Sequence, residues 1–450
     1  MEVTDIVLPD VDTVLDNGVR VVVVRTPVVP LVELRLVVPC GRTVPRDAAR
    51  SELLAACLLH HHEAERIDRE LAAVGGELRA GTDARRLILS GFALGGDARD
   101  GLPVLLDVLA EALHGFGCPP GALAHERAAL AERLRVAWSH PAAVARAALQ
   151  RHRFGDDFAA LEIPDPAQLP AVGFEDLRAL HASAVRPAGS VLVLTGDLDP
   201  DRALALVEAA LKCWPRGRGF ARTPGPPPVR GGRLRPYDRP GAVQSHIRLS
   251  ARALPRTDPA FPALQLADLA FGGYFASRLV DNLRERNGYA YTARSGIDSA
   301  PGSGTLVVEA DTSTASTAAA LAAIRGELHR FVRQPPSAAE IDAARRYAIG
   351  STTTAMASPG SLAMAVANLV EVGVGPAWLH EQAERLGAVT KRHVMAVARE
   401  FYDPRAFTGV VVADGASATV AGLVAGDDGD DQGDGDGDDD NGGHGGPSFG

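Results

Sequence analysis

The same order of strand-like and helix-like runs occurs twice in this chain, once on each side of a stretch that can form neither. That stretch, 215–241, sets Pro224, Pro226, Pro227, Pro228, Pro236 and Pro240 among Gly231 and Gly232. No helical or strand period survives there, and it reads as an extended inter-domain linker. Before it come Val/Leu-rich strand runs at 19–24 and 31–38 and apolar helical patterns at 48–59 and 64–74, the second stopped by Gly75-Gly76. A strand at 87–94, helices at 102–113 and 120–138, a buried strand at 190–195 and a helix at 201–211 complete the first half. After the linker the order returns: a strand at 246–249, helices at 259–270 and 277–286, strands at 289–297 and 304–310, helices at 317–331 and 338–348. A last strand at 408–413 runs into Asp414-Gly415 much as the earlier one runs into Gly196-Asp197.

Strands and helices mix within each half with room for hairpins, which favours α+β over a doubly wound sheet. The expected architecture is two homologous domains, 1–214 and 242–425, each a mixed and mostly antiparallel sheet packed with helices. The length agrees, since one core seldom serves more than about 250–300 residues. Residues 426–450 hold nine Asp and no Lys or Arg, with almost nothing apolar to bury, and read as a disordered tail. The tail's GDGDD character lacks the nine-residue period of calcium-binding repeats. The net charge of −10 therefore leaves about −1 for the rest of the chain, so no basic field points to nucleic acid.

Cys40, Cys57, Cys118 and Cys213 are scattered, which suits reduced thiols. No apolar run approaches a membrane span, and the N-terminus shows no basic region followed by an apolar one. A cytoplasmic protein without membrane contact is expected.

Several short strings carry chemical information. Leu15-Asp-Asn-Gly-Val-Arg-Val-Val-Val opens the first half, Val74-Gly-Gly-Glu-Leu-Arg-Ala-Gly-Thr follows its second helix, and Val193-Leu-Thr-Gly-Asp-Leu-Asp-Pro closes it. The second half contains Phe271-Gly-Gly-Tyr-Phe-Ala-Ser-Arg-Leu-Val-Asp-Asn-Leu-Arg-Glu-Arg-Asn-Gly-Tyr-Ala-Tyr. In this order, over about residues 10 to 415, the strings resemble the pitrilysin/insulinase family of zinc peptidases. The resemblance is to its half-size branch, which includes the mitochondrial processing peptidase subunits. The last string is the most specific, similar to S-R-L-x-x-x-L-R-E-x-x-G-x-A-Y; Arg79 stands where Asn is usual.

Active members of that family carry H-x-x-E-H. Two His on one helix face ligate Zn²⁺, the Glu between them acts as base toward the metal-bound water, and a distant Glu completes the site. The matching helix here reads Ser51-Glu-Leu-Leu-Ala-Ala-Cys-Leu-Leu. Glu52 and Ala56 stand at the two His positions and Ala55 at the base. In E-x-x-x-x-x-x-E, Glu126 fits the first Glu and Arg133 falls on the ligand, with Glu132 one residue off. His60-His61-His62-Glu63 lacks the second His and lies too near Gly75-Gly76 to replace the motif. His152 with Asp156 and Asp157 has no distinctive spacing. The resemblance thus implies no zinc in this chain.

Residue types alone give an exposed helix-terminal Arg284 beside Glu285, and Tyr291 packed on a sheet. The matched string implies more: in the family an Arg and a Tyr seven residues apart reach the scissile carbonyl. A fixed guanidinium orients a carbonyl, a phenol O–H donates to an oxyanion, and Gly288 between them turns helix into strand. Gly272 and Gly273 stand where the non-catalytic processing subunit has a longer substrate-contacting glycine loop, though a tight turn would use two glycines equally well. The resemblance implies a non-catalytic subunit of a heterodimeric metalloendopeptidase. It would supply Arg284 and Tyr291 to a homologous zinc-bearing partner acting on a peptide. The alternative is a scaffold or peptide-binding protein of the same fold, as respiratory-complex core proteins are.

Overall fold

In a computed structural model of the chain, residues 9–60, 64–96, 100–217 and 225–421 are described. The acidic tail 426–450, His61, His62, Glu63, the first eight residues and 218–224 of the linker lie outside them.

Two mixed sheets form the frame. The first has six strands, β1 (Val11–Val14), β2 (Arg20–Arg25), β3 (Leu31–Pro39), β4 (Glu77–Thr82), β5 (Arg86–Leu94) and β6 (Val191–Gly196), in the order β1-β2-β6-β3-β5-β4. The second has five, β7 (Leu234–Asp238), β8 (Gln244–Ala253), β9 (Ala290–Ala300), β10 (Ser303–Ser313) and β11 (Thr408–Ala413), in the order β7-β11-β8-β10-β9. Each sheet has one parallel pair, β2 with β6 and β7 with β11, and is otherwise antiparallel. The hairpin strands β4–β5 and β9–β10 hold the same edge in each.

The stretch expected to be irregular contributes β7, which pairs in parallel with β11. An edge strand tolerates Pro236 because it has one ladder rather than two to satisfy.

Period-two sequence explains why each sheet has two usable faces. On β3, Val32, Leu34, Leu36 and Val38 are buried in the first core with Leu53 and Leu54 of α1 (Arg46–Cys57) and Leu105 and Leu109 of α3 (Leu102–His114). Between them lie α2 (Ala64–Ala73) and the hairpin; α4 (Pro120–Ser139) and α5 (Pro141–Phe154) follow. On β8, Ile247, Leu249 and Ala251 face the second core, with Leu264, Phe271, Leu283, Phe331 and Tyr402.

The opposite face of each sheet is covered by a helix from the other half. Helix Pro359–Glu371 lays Leu362, Ala363 and Val366 on Val22, Val24, Val37 and Val193 of the first sheet. Thr195 donates to the Pro359 carbonyl at 2.7 Å, and Glu371 pairs with Arg85 at 3.2 Å and with Arg86. In return, α5 sets Ala148 and Leu149 on Val410 of the second sheet; Arg153 donates to Ser250 at 3.1 Å, and His152 lies 2.6 Å from Thr408 Oγ1. His152 thus serves the contact between halves. No helix among the described residues is long and apolar enough to cross a membrane.

Two expected helices change character. The one expected over 259–270 is α-helical at Phe261–Asp268 and continues as a π turn, Leu269–Gly273; the one over 277–286 is a short α turn, Arg278–Val280, opening into a π turn, Asp281–Arg286. Helical periodicity registers such a segment as helix but not its winding.

Candidate functional site

The helix on which the sequence resemblance places a zinc motif is α1. It is regular, and its inner face is core: Leu53, Leu54, Ala55 and Cys57 are buried. Glu52, at the first His position, is held by Arg42, whose side chain is 0% exposed. That guanidinium donates to Glu52 Oε1 at 3.0 Å, Ser51 Oγ at 3.2 Å, the Leu161 carbonyl at 2.9 Å and the Glu162 carbonyl at 3.0 Å. A buried charge is tolerated only when its donors are satisfied, and Arg42 ties α1 to the loop beyond α5 in doing so.

Ala55 and Ala56 have no donor atoms. Arg133 is exposed on α4. Glu126, on the same helix, lies 3.0 Å from His60 Nε2. Burial pushes the Cys57 and Cys118 thiols up, and the Cys40 thiol to about 11, which keeps them protonated and poor ligands or nucleophiles at neutral pH. Among the described residues no group of three or more His, Cys, Asp or Glu is arranged to hold a metal ion. The residues at this position do not fit zinc: one carboxylate already has a cation, two side chains are methyl groups, and the fourth is a cation itself.

The second half is built differently. Leu283 anchors the π turn Asp281–Arg286 in the core, while Arg284 beside it is 57% exposed with Glu285 at 3.5 Å as its ion-pair partner. Gly288 stops the helix with φ +61°, a left-handed conformation that a Cβ would strain, and Tyr289 N–H donates to the Leu283 carbonyl at 2.8 Å. The chain enters β9 at Ala290, and the ladder to β10 slips at once: Ala290 pairs with Thr312 and Thr292 with Asp311, leaving Tyr291 as the extra residue of a bulge. A bulge re-aims the side chain it carries, and Tyr291 stands 89% exposed. A π turn, a left-handed glycine and a bulge in eleven residues thus present Arg284 and Tyr291 to solvent from adjoining elements.

Gly272 and Gly273 underlie this arrangement. A Cβ on Gly272 would lie 2.7 Å from Ser295 Oγ and 2.8 Å from its backbone N; one on Gly273 would lie 3.1 Å from Asp268 Oδ2. The glycines let the helix end press onto β9, where Ser295 donates to Asp268 Oδ1 at 2.6 Å and Tyr402 donates to the same oxygen at 3.4 Å. Burial pushes the Asp268 carboxyl up to about 7 despite both donors.

The sequence reading missed this trio. Its one signal was an Asp inside an otherwise apolar helix. Next along the chain, Tyr274 stacks on Tyr347 with centroids 5.0 Å apart, and Phe275 is 76% exposed. Phe275 borders a cleft of about 710 Å³ together with Arg278, Asp281, Glu285 and Glu340. The Arg278 guanidinium beside Glu340 holds that carboxyl down at about 2.

The profile of the family described as the peptidase M16 inactive domain matches residues 171–347. A protein of Mycobacterium bovis, named an uncharacterized zinc protease, is 29% identical over 315 residues, which is 66% of this chain and 69% of that one. A Streptomyces coelicolor protein of the same description is 24% identical over 355 residues, 77% of this chain and 76% of its own. A crystal structure of a peptidase M16 inactive domain from Pseudomonas fluorescens superposes with TM-score 0.80 at 20% identity, covering 90% of this chain and 97% of that one. A protease from Helicobacter pylori superposes with TM-score 0.78 at 16% identity, covering 90% and 100%.

Proposed function

We propose, from the premise that this chain belongs to the M16 peptidase family and lacks its zinc-binding residues, that it is the zinc-free subunit of a two-chain endopeptidase. The observation that carries this is the contrast between the halves. The metal positions Glu52, Ala55, Ala56 and Arg133 have no metal-binding set left, whereas Arg284 and Tyr291 are held out by a π turn and a bulge that a purely structural strand would not need. A homologous zinc-bearing subunit would supply the metal chemistry.

This chain's contribution is to orient a peptide. Arg284 donates to a substrate carbonyl, and the Tyr291 O–H donates where negative charge develops on the scissile carbonyl oxygen. Gly272 and Gly273 act through the placement of β9 and of the half-buried Tyr274 and exposed Phe275 next to them.

The test is a peptidase assay of this chain alone and mixed with a zinc-bearing homologue. Activity that rises above the homologue's only in the mixture, and collapses with Arg284→Ala and Tyr291→Phe, supports the proposal; a mixture no faster than the homologue sinks it. One observation favours a scaffold instead: Arg42 has turned the old metal position into a packed joint. Under that reading the pair assembles, and both substitutions leave its activity unchanged.

A further inference from the structure

Exposed arginines such as Arg135, Arg178, Arg385 and Arg405 pair with a carboxylate close by in sequence: Glu132, Glu175, Glu381 and Asp403. The middle of the chain departs from this pattern. Residues 225–241 carry Arg230, Arg233, Arg235 and Arg239 against a single acid, Asp238. The first three are exposed and Arg239 is half-buried, and among the described residues none of them is paired with a carboxylate. Folding brings a fifth cation to them. Arg239 donates to the Ser139 carbonyl at 3.2 Å, at the turn between α4 and α5, where Arg151 lies 5.8 Å from the Trp138 ring centroid. Arg235 lies over Tyr237, and after burial its charge is what next lowers the His152 imidazole of α5. Like charges gathered without counter-charge favour an anionic partner.

The path of the chain supplies one. β11 pairs in parallel with β7, with Ala413 opposite Asp238, so the end of β11 lies against the end of the arginine stretch. The two acids at that corner are already engaged. Asp238 accepts from the Ser417 N–H at 3.0 Å and from the Ser417 hydroxyl, and Asp414 accepts from the Gly241 N–H at 3.2 Å. The chain is thus clasped to the basic stretch at Ser417, and ten residues later it reaches Asp427, the first of nine Asp in 427–440. Ten residues span at most about 36 Å. The Asp-bearing segment is fourteen residues long, against ten from Arg230 to Arg239, so it is long enough to follow the whole basic stretch.

We propose that the acidic segment 427–440 of this same chain is the partner of the surface formed by Arg151, Arg230, Arg233, Arg235 and Arg239, and that it masks this surface from other polyanions. The inference is independent of the peptide-orienting role proposed above. A single exposed ion pair is weak, but several act together here, and a short tether holds the acidic segment at an effective concentration of about a millimolar. The contact is electrostatic and is released as salt shortens the screening length, from about 10 Å at 0.1 M to about 3 Å at 1 M.

Arginine modification by phenylglyoxal, followed residue by residue by mass spectrometry, tests this on the full-length chain. The comparison is a full-length variant with Asp→Asn at all nine positions of 427–440. At low salt Arg230, Arg233, Arg235 and Arg239 should react about fivefold more slowly in the unaltered chain, and the difference should vanish at about 0.5 M salt. Arg46 and Arg284, exposed elsewhere, should react alike in both. Equal rates at the four arginines overturn the proposal. So does protection that strengthens with protein concentration, because the masking segment would then come from a second copy. Heparin is the external probe. The Asp→Asn chain should bind it at least about tenfold more tightly than the unaltered chain at low salt. Arg230→Ala, Arg233→Ala and Arg235→Ala together should reverse most of that gain. Equal heparin affinity would mean that the surface is open in the unaltered chain. A gain that survives the three arginine substitutions would be an effect of whole-molecule charge; either result overturns the masking role.

Discussion

Helix α1 and the segment from Asp281 to Tyr291 hold the two sets of positions to which the sequence resemblance assigns chemistry, and they are built in opposite ways. Along α1 the winding is regular, the inner side chains are buried, and the one charged replacement, Glu52, is tied down by Arg42. Along 281–291 the winding is irregular and the two side chains of interest stand in solvent with at most one weak partner. Irregular backbone and exposed side chains contribute little to stability. Packing accounts for the α1 positions, whereas it does not account for exposed side chains carried on irregular backbone.

The comparison breaks first at Arg42. Arg42→Ala leaves the Leu161 and Glu162 carbonyls and a half-buried Glu52 without their donor, and should cost about 3–5 kcal/mol in chemical denaturation. Turnover of the folded mixed enzyme should not change. Loss of turnover at full folding would mean that α1 still takes part in the reaction.

Tyr291→Phe is the mirror case. It should leave the denaturation midpoint within about 0.5 kcal/mol, as for other exposed side chains, and lower kcat of the mixture by about 10²–10³-fold.

Asp268 sharpens the view of what holds β9. Its folded carboxyl titrates near 7, above the ordinary unfolded value, so the folded state binds the proton more tightly. The stabilisation is complete at acid pH below the unfolded value and is lost as pH rises through about 7. Stability should therefore fall between about pH 4 and 7, by an amount on the order of a few kcal/mol, and Asp268→Asn should flatten that slope in thermal melts.

The smallest expected effect is Gly272→Ala. The 2.7 Å approach to Ser295 Oγ forces a shift that should cost about 1–3 kcal/mol and lower turnover through displacement of β9. Destabilisation without loss of turnover would separate the glycines from the site.

Much of the frame was legible because its signals are local. Val19 to Val24 and Leu31 to Val38 alternate or run apolar over strand lengths, and the repeated order of elements gave two sheets. Helix Pro359–Glu371 was left unassigned, although Ser358 caps it by accepting from Ser361 N–H; its first turn, Pro359-Gly360-Ser361, is made of weak helix formers. Strand β7 was hidden by prolines that matter little at an edge.

At the site, Arg284 and Tyr291 were legible only through a matched string; neither the π turn nor the bulge leaves a mark in residue periodicity. Arg42 was invisible for a different reason. Its partners Leu161 and Glu162 are backbone carbonyls far along the chain, which no side-chain pattern announces.

The exchange of helices between the halves bears on how the molecule could be taken apart. Because Pro359–Glu371 covers the first sheet and α5 the second, neither half is a complete unit when cut from the other: the first would bare the apolar face of Val22, Val24, Val37 and Val193, the second would bare Val410 with the buried Arg248 and Ser250, and each would carry an orphaned helix. A chain severed within its proline-rich middle should therefore yield two pieces that are insoluble apart and recover one native-like particle when refolded together, in the manner of fragment complementation.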